Sequence, residues 1–161
     1  MIEIKYLKDK PELIDKISDI NYNLWNEFYS DGKDDEINNL EDYKNYVKNN
    51  YLNTDKIPIY LIALDDDRYI GSITITNDDF PDLPRDKKWL TELYVIPEYR
   101  NKGIGKLLIK KAKEVCNSLN FEGVYLSCLE ELIFYYKKLG FHFIDKYIFS
   151  NKTYYIFYTT I

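Results

Sequence analysis

The chain has 161 residues, 45% of them apolar and 30% charged, a composition that excludes disorder and fits a single domain spanning residues 1–161 around a substantial core. No apolar run approaches the roughly 20 residues of a membrane span, and the N-terminal stretch has no apolar signal core, so a cytoplasmic protein is expected. The net charge of −5 is uneven: residues 1–80 carry nine Lys/Arg against eighteen Asp/Glu, and residues 81–161 thirteen against nine. That division is either plain solvated surface or an anionic ligand on one half and a cationic one on the other, and it lacks the basic stripe that nucleic acid needs.

In chain order, Ile2-Glu3-Ile4-Lys5-Tyr6 alternates as a first strand. Residues 11–29 read as a helix, with Pro11 in the first turn and Leu13, Ile17, Ile20, Leu24 and Phe28 at helical spacing. Residues 31–36 are a polar loop, and 40–51 a second helix. Two strands at 59–64 and 69–76 form a hairpin across Asp65-Asp66-Asp67-Arg68. A Pro/Asp-rich loop at 77–87 leads to a strand at 89–96.

The clearest helix covers 103–120, with Ile104, Leu107, Leu108, Ala112, Val115, Cys116 and Leu119 on one face. A short apolar strand follows at 124–128, then a helix at 130–139 ended by Gly140. The tail, 141–149 and 152–161, reads as an aromatic hairpin turning at Ser150-Asn151. This order predicts an α/β (α+β) domain with one mixed, twisted sheet of about seven strands and about four helices.

Cys116, Cys128 and the single His142 are too few and too scattered for a zinc site, so no metal is expected. Cys128 with His142 is the one conceivable thiol–imidazole pair, and a half-buried Cys beside a strand His is the plainer reading.

Chemistry concentrates in Leu93-Tyr94-Val95-Ile96-Pro97-Glu98-Tyr99-Arg100-Asn101-Lys102-Gly103-Ile104-Gly105-Lys106. This is a strand, a turn carrying Arg-x-x-Gly-x-Gly, and a helix start. Glycines let the backbone turn sharply and approach a ligand, and free N–H groups at a helix start face outward. With Arg100, Lys102 and Lys106 they favour a pyrophosphate. Two other phosphate loops fail, since the third glycine of the dinucleotide fingerprint falls on Leu108 and no Gly-x4-Gly-Lys-Ser/Thr occurs.

A second block, Phe134-Tyr135-Tyr136-Lys137-Lys138-Leu139-Gly140-Phe141, comes next in order. With it, residues 58–145 resemble the Gcn5-related N-acetyltransferase (GNAT) superfamily. Arg100–Gly105 is similar to that family's acetyl-CoA motif, and 134–141 to its Phe-Tyr-x-Lys-x-Gly-Phe helix end. The resemblance implies a GNAT fold with strands splayed at the acetyl-CoA site. The amides of Asn101, Lys102, Gly103, Ile104, Gly105 and Lys106 would cradle the pyrophosphate, and Arg100 would support the loop. Main-chain groups of Leu93 and Val95 would pair with the pantetheine arm, while Glu92 and Tyr94 face the other way.

The resemblance further implies direct transfer of an acetyl group to a primary amine in a ternary complex. Tyr136 matches the tyrosine that protonates the departing thiolate; its alternative is a packing aromatic. Glu92 is the base candidate, beside a structural carboxylate or a water relay. An amide near Tyr94 or Val95 would meet charge on the thioester oxygen. Where many relatives carry an Asn seven residues before the tyrosine, this chain has Leu129, so Ser127 or the Cys128 backbone would have to substitute.

The acceptor side would draw on Trp25, Phe28, Tyr29, Asp31, Asp34, Asp35, Glu36 and the loop Asp78-Asp79-Phe80, aromatics and carboxylates suited to a small cationic amine. A peptide N-terminus or lysine is the alternative acceptor, and a CoA-binding sensor the alternative class. Pairing of two copies through the terminal hairpin is the partner expectation that the family adds.

Overall fold

The six consecutive apolar residues from Ile59 to Leu64 mark a strand covered on both faces, and the computed structural model places them at the centre of one half of the sheet. Residues 1–30, 37–77 and 86–161 are described, with side chains except at 27–30. The strands are β1 (Ile2–Tyr6), β2 (Ile59–Asp65), β3 (Arg68–Thr76), β4 (Trp89–Val95), β5 (Gly123–Cys128), β6 (His142–Phe149) and β7 (Lys152–Thr160). They form one seven-stranded sheet in the order β1-β2-β3-β4-β5-β7-β6, antiparallel throughout except for β4 against β5. The helices are α1 (Ile14–Ser30), α2 (Leu40–Asn50), α3 (Ile104–Ser118) and α4 (Ile133–Lys138). The mixed α/β sheet with four helices is the expected fold class.

Two cores lie on opposite faces. Ile59, Leu61 and Ala63 of β2 join Ile70, Ile73 and Ile75 of β3 against α3. Tyr60, Ile62 and Leu64 point the other way, to Ile14 and Ile17 of α1 and Tyr43 and Val47 of α2. Among the described residues no helix is long and apolar enough to cross a membrane.

Local differences from the sequence reading have packing reasons. Pro11–Leu13 forms a 3-10 turn ahead of α1, and Glu130–Leu132 does so ahead of α4. The buried stripe of α1 is Ile14, Ile17, Ser18 and Asn21, with Leu24 left 41% exposed. The helix is rotated because Asn21 donates through Nδ2 to the buried Tyr60 hydroxyl. On α3, Ile109 is buried and Leu107 faces out. The terminal hairpin turns at Ser150 and Asn151, both at positive φ (50° and 61°), as a two-residue hairpin turn with the twist of its strands requires.

Candidate active site

The parallel strands β4 and β5 share a single register pair, Trp89 with Tyr125, where Tyr125 N–H donates to the Lys88 carbonyl at 2.8 Å. Beyond it they diverge, and among the described residues Leu90 to Val95 have no strand partner on that side. Ile96 N–H donates to Ile70 O on the β3 side. Main-chain groups of neighbouring residues point to opposite edges of a strand, so those of Val95, paired with Gly71 in the register, point into the gap. An extended chain can add to this edge as a strand.

At the mouth of the gap the loop between β4 and α3 takes two left-handed residues, Asn101 (φ 59°) and Gly103 (φ 83°). Such alternation turns successive N–H groups into one concavity that suits an anion. A Cβ at Gly103 would meet nothing within 4 Å, so its glycine serves the backbone angle, not space. Arg100 Nε donates to Val95 O at 3.0 Å, with the guanidinium 5.8 Å from the Tyr94 ring centroid. Arg100 thereby ties the loop to the strand. Lys102 Nζ lies 5.0 Å from the Tyr99 ring centroid. The Tyr99 hydroxyl donates to Asp65 at 2.8 Å, and this shared proton raises the phenol and lowers the carboxyl.

On the opposite face sits Glu92, at φ 51° in a bulge where it and Leu93 together face Ile73. The bulge resets the alternation: Leu90 and, past it, Leu93 and Val95 pack toward α3, leaving Glu92 on the side of α1 and α2. Its Oε2 is fully buried. Beside it Tyr69 Oη lies 2.8 Å from Ser72 Oγ, and Ser72 also reaches Tyr60, which takes the Asn21 bond. Burial chiefly, then the Glu92 charge, pushes the Tyr60 phenol well up, and Tyr69 is raised mainly by burial as well. Every hydroxyl of this cluster is therefore neutral at ordinary pH. The cluster was not read from the sequence; its one signal was the odd spacing of Leu90 and Leu93.

Tyr136 is 6% exposed, packed edge-on against Phe141 in the α3-side core. Tyr135 leaves α4 toward the first turn of α3. Adjacent tyrosines thus part to two environments. Leu129 packs with Phe149 and Tyr154, a structural place. Burial lifts the Cys128 thiol to about 11, which keeps it protonated at neutral pH, and His142 is exposed at the start of β6. Among the described residues no group of three His, Cys, Asp or Glu could hold a metal ion.

Of the acceptor residues, Trp25 is half-buried on α1. The side chains of Phe28 and Tyr29, and residues Asp31, Asp34, Asp35, Glu36, Asp78, Asp79 and Phe80, lie outside the described residues.

A profile of the acetyltransferase (GNAT) family matches residues 18–141. An uncharacterized N-acetyltransferase of Chlorobaculum tepidum is 36% identical over 63 residues, a segment that covers 39% of this chain and 39% of that one. Among solved structures, an aminoglycoside 6'-N-acetyltransferase with coenzyme A superposes with a TM-score of 0.70 at 20% identity, over 99% of this chain and 96% of that one. NAA60 of Arabidopsis thaliana with acetyl-CoA gives 0.70 at 19% identity, over 100% and 99%. The family profile spans both the splayed strands and the Arg100–Gly105 loop, and on that ground the chain belongs to the acetyltransferase (GNAT) family.

Proposed function

We propose that this chain transfers an acetyl group from acetyl-CoA to a primary amine, directly within a ternary complex, and that the acceptor is a small cationic amine. The observation that carries the reading is the gap between β4 and β5, with the anion-binding loop at its mouth and Glu92 on the far face of the same strand. The donor fits what is present: a concavity of N–H groups for its pyrophosphate, and the Val95 edge for its pantetheine amides. Acetyl-CoA, when bound, supplies the activated acyl carbon as a thioester.

The chain's own groups do the rest. Asn101 to Lys106 hold the phosphates through main-chain N–H groups, backed by Lys102 and Lys106. The Val95 N–H is the donor available to a carbonyl oxygen that gains charge. Glu92 takes the proton that the amine must lose, and the Tyr136 phenol holds the proton that the departing sulfur needs. The Glu92 charge is felt at the buried phenols of Tyr60 and Tyr69, on the same side of the sheet.

The acidic first half favours a cationic acceptor by steering. The similar structures include an aminoglycoside 6'-N-acetyltransferase and NAA60, so a protein or peptide amine belongs in the same assay. A second copy pairing through the hairpin would use Phe143, Ile144 and Ile148, exposed on β6, and solution mass reads that directly. Use of acetyl-CoA is in keeping with a cytoplasmic enzyme.

Thiol release from acetyl-CoA over a panel of polyamines, aminoglycosides and peptides tests the reading. Tyr136→Phe is expected to lower kcat about a hundredfold with donor affinity nearly unchanged. A KM for a polyamine that rises with salt supports the cationic acceptor, and an insensitive one counts against it. Coenzyme A binding with no turnover for any amine would make the chain a sensor instead.

A further inference from the structure

Tyr99 ends the 3-10 turn Pro97–Tyr99, just ahead of the left-handed Asn101 that opens the loop. Its ring is half-buried against the α3-side core, and the rest of it is tied to the hairpin of β2 and β3. The hydroxyl donates to Asp65, the last residue of β2, at 2.8 Å. Arg68, the first residue of β3, sets its guanidinium carbon 5.5 Å from the ring centroid and its Nη2 3.6 Å from Glu98 Oε1. The Tyr99 ring is therefore fixed by contacts that come from outside the loop.

Lys102 stands between the two left-handed residues, Asn101 and Gly103, so its main chain is part of the N–H concavity. Its ammonium lies 5.0 Å from the same ring centroid, within the roughly 6 Å over which an aromatic face attracts a cation. Two cations thus share one ring. Arg68 is balanced by Glu98, whereas Lys102 has no carboxylate partner among the described residues. The difference matters for an anion. A carboxylate beside Lys102 would hold the ammonium but cancel its charge and repel phosphate. An aromatic face holds it without neutralising it. A lysine has a long, flexible stem, and an ammonium already held gives up less freedom when the ligand arrives.

We propose that Tyr99 is a positioning residue for the donor, its ring holding the Lys102 ammonium at the loop, so that the β2–β3 hairpin sets how tightly the diphosphate binds. The inference rests on the acetyl-CoA reading and adds to it a residue outside the Arg100–Gly105 motif. A cation held on a ring at an exposed site is worth about two- to fivefold in an equilibrium constant.

The experiment is calorimetric titration with coenzyme A at low and at high salt, which needs no acceptor. Tyr99→Leu should weaken binding about two- to fivefold at low salt. It should cost less at high salt, where the Lys102 charge is screened. Tyr99→Phe keeps the ring and should recover most of the loss. Lys102→Met removes an exposed charge and should weaken binding at least as much as Tyr99→Leu. Adding Tyr99→Leu to Lys102→Met should then cost nothing further, as expected when one residue acts through the other. If Tyr99→Leu does not fold, Tyr99→Met, unbranched and adaptable, takes its place with the same expectations. Equal losses with and without Lys102, or at both salt concentrations, would reduce Tyr99 to a packing residue and overturn the proposal. Unchanged or tighter binding in Tyr99→Leu overturns it too, since the ring would then be a place that Lys102 has to leave. Wild-type protein that does not bind coenzyme A would instead overturn the donor reading beneath it.

Discussion

Glu92 reaches the α1–α2 side only because its backbone takes φ 51°. In a regular strand the side chain two after Leu90 shares its face, which here is packed on α3. A non-glycine residue in that conformation carries strain that the surrounding contacts must hold, as is common where a side chain has to be aimed. Gly71 shows the same strand from the other side. A Cβ there would lie 2.6 Å from Tyr94 O, a main-chain atom that cannot step aside, and 3.4 Å from Leu108 Cδ1. Gly71→Ala is therefore expected to cost about 1–3 kcal/mol, read as a lower urea midpoint at constant m-value. At this scale the left-handed turn of the loop before α3 was legible in its glycine spacing, with Gly103 at φ 83°. The Tyr60–Ser72–Tyr69 cluster was not, since three hydroxyls on two strands have no common spacing until the strands pair.

Helix α2 begins at Asn39, whose side chain accepts from Asp42 N–H at 3.0 Å while Asp42 accepts from Asn38 N–H at 3.1 Å. Asn39→Ala removes that cap, and a loss of about 1 kcal/mol in denaturant melts is expected. The loop ahead of α3 is held by Tyr99, whose hydroxyl donates to Asp65, itself bound by the N-terminal amine. The Asp65 carboxyl is lowered first by Tyr99 and then by the amine, so its contribution is present above the ordinary Asp value of about 3.9 and lost as pH falls through the lower folded value. Asp66 and Asp65 raise the amine, so that contribution is complete below about 8 and disappears as pH rises through the folded value. Tyr99→Phe should flatten the acid limb of a melting-temperature profile and leave the alkaline fall of the amine in place. The order of elements was readable throughout. The facing of α1 was not: its buried stripe sets the polar Ser18 and Asn21 beside Ile14 and Ile17, a pattern that apolar spacing does not mark.

Across the whole molecule the sheet is two antiparallel blocks joined at one point, and Trp89 sits at that joint. It is 1% exposed, with Tyr125 at 5.3 Å between centroids, and Tyr125 meets Tyr158 at 4.8 Å and Lys87 Nζ at 4.5 Å. Trp89→Ala is expected to cost about 3–5 kcal/mol. It should also weaken coenzyme A binding in the fraction that remains folded, because the gap is defined by where the two blocks touch; calorimetry at low temperature separates the two effects. The sequence by itself determined the elements, the single mixed sheet, the glycine-bearing loop ahead of α3 and the family, since these depend on periodicity, glycine placement and side-chain type over short spans. The tertiary structure alone decided that β4 and β5 meet once and then part, and that a bulge turns Glu92 to the far face. It also decided that α4 rests on Gly105. Those three facts depend on pairing and close contact between segments far apart in the chain, and no local pattern encodes which groups will meet.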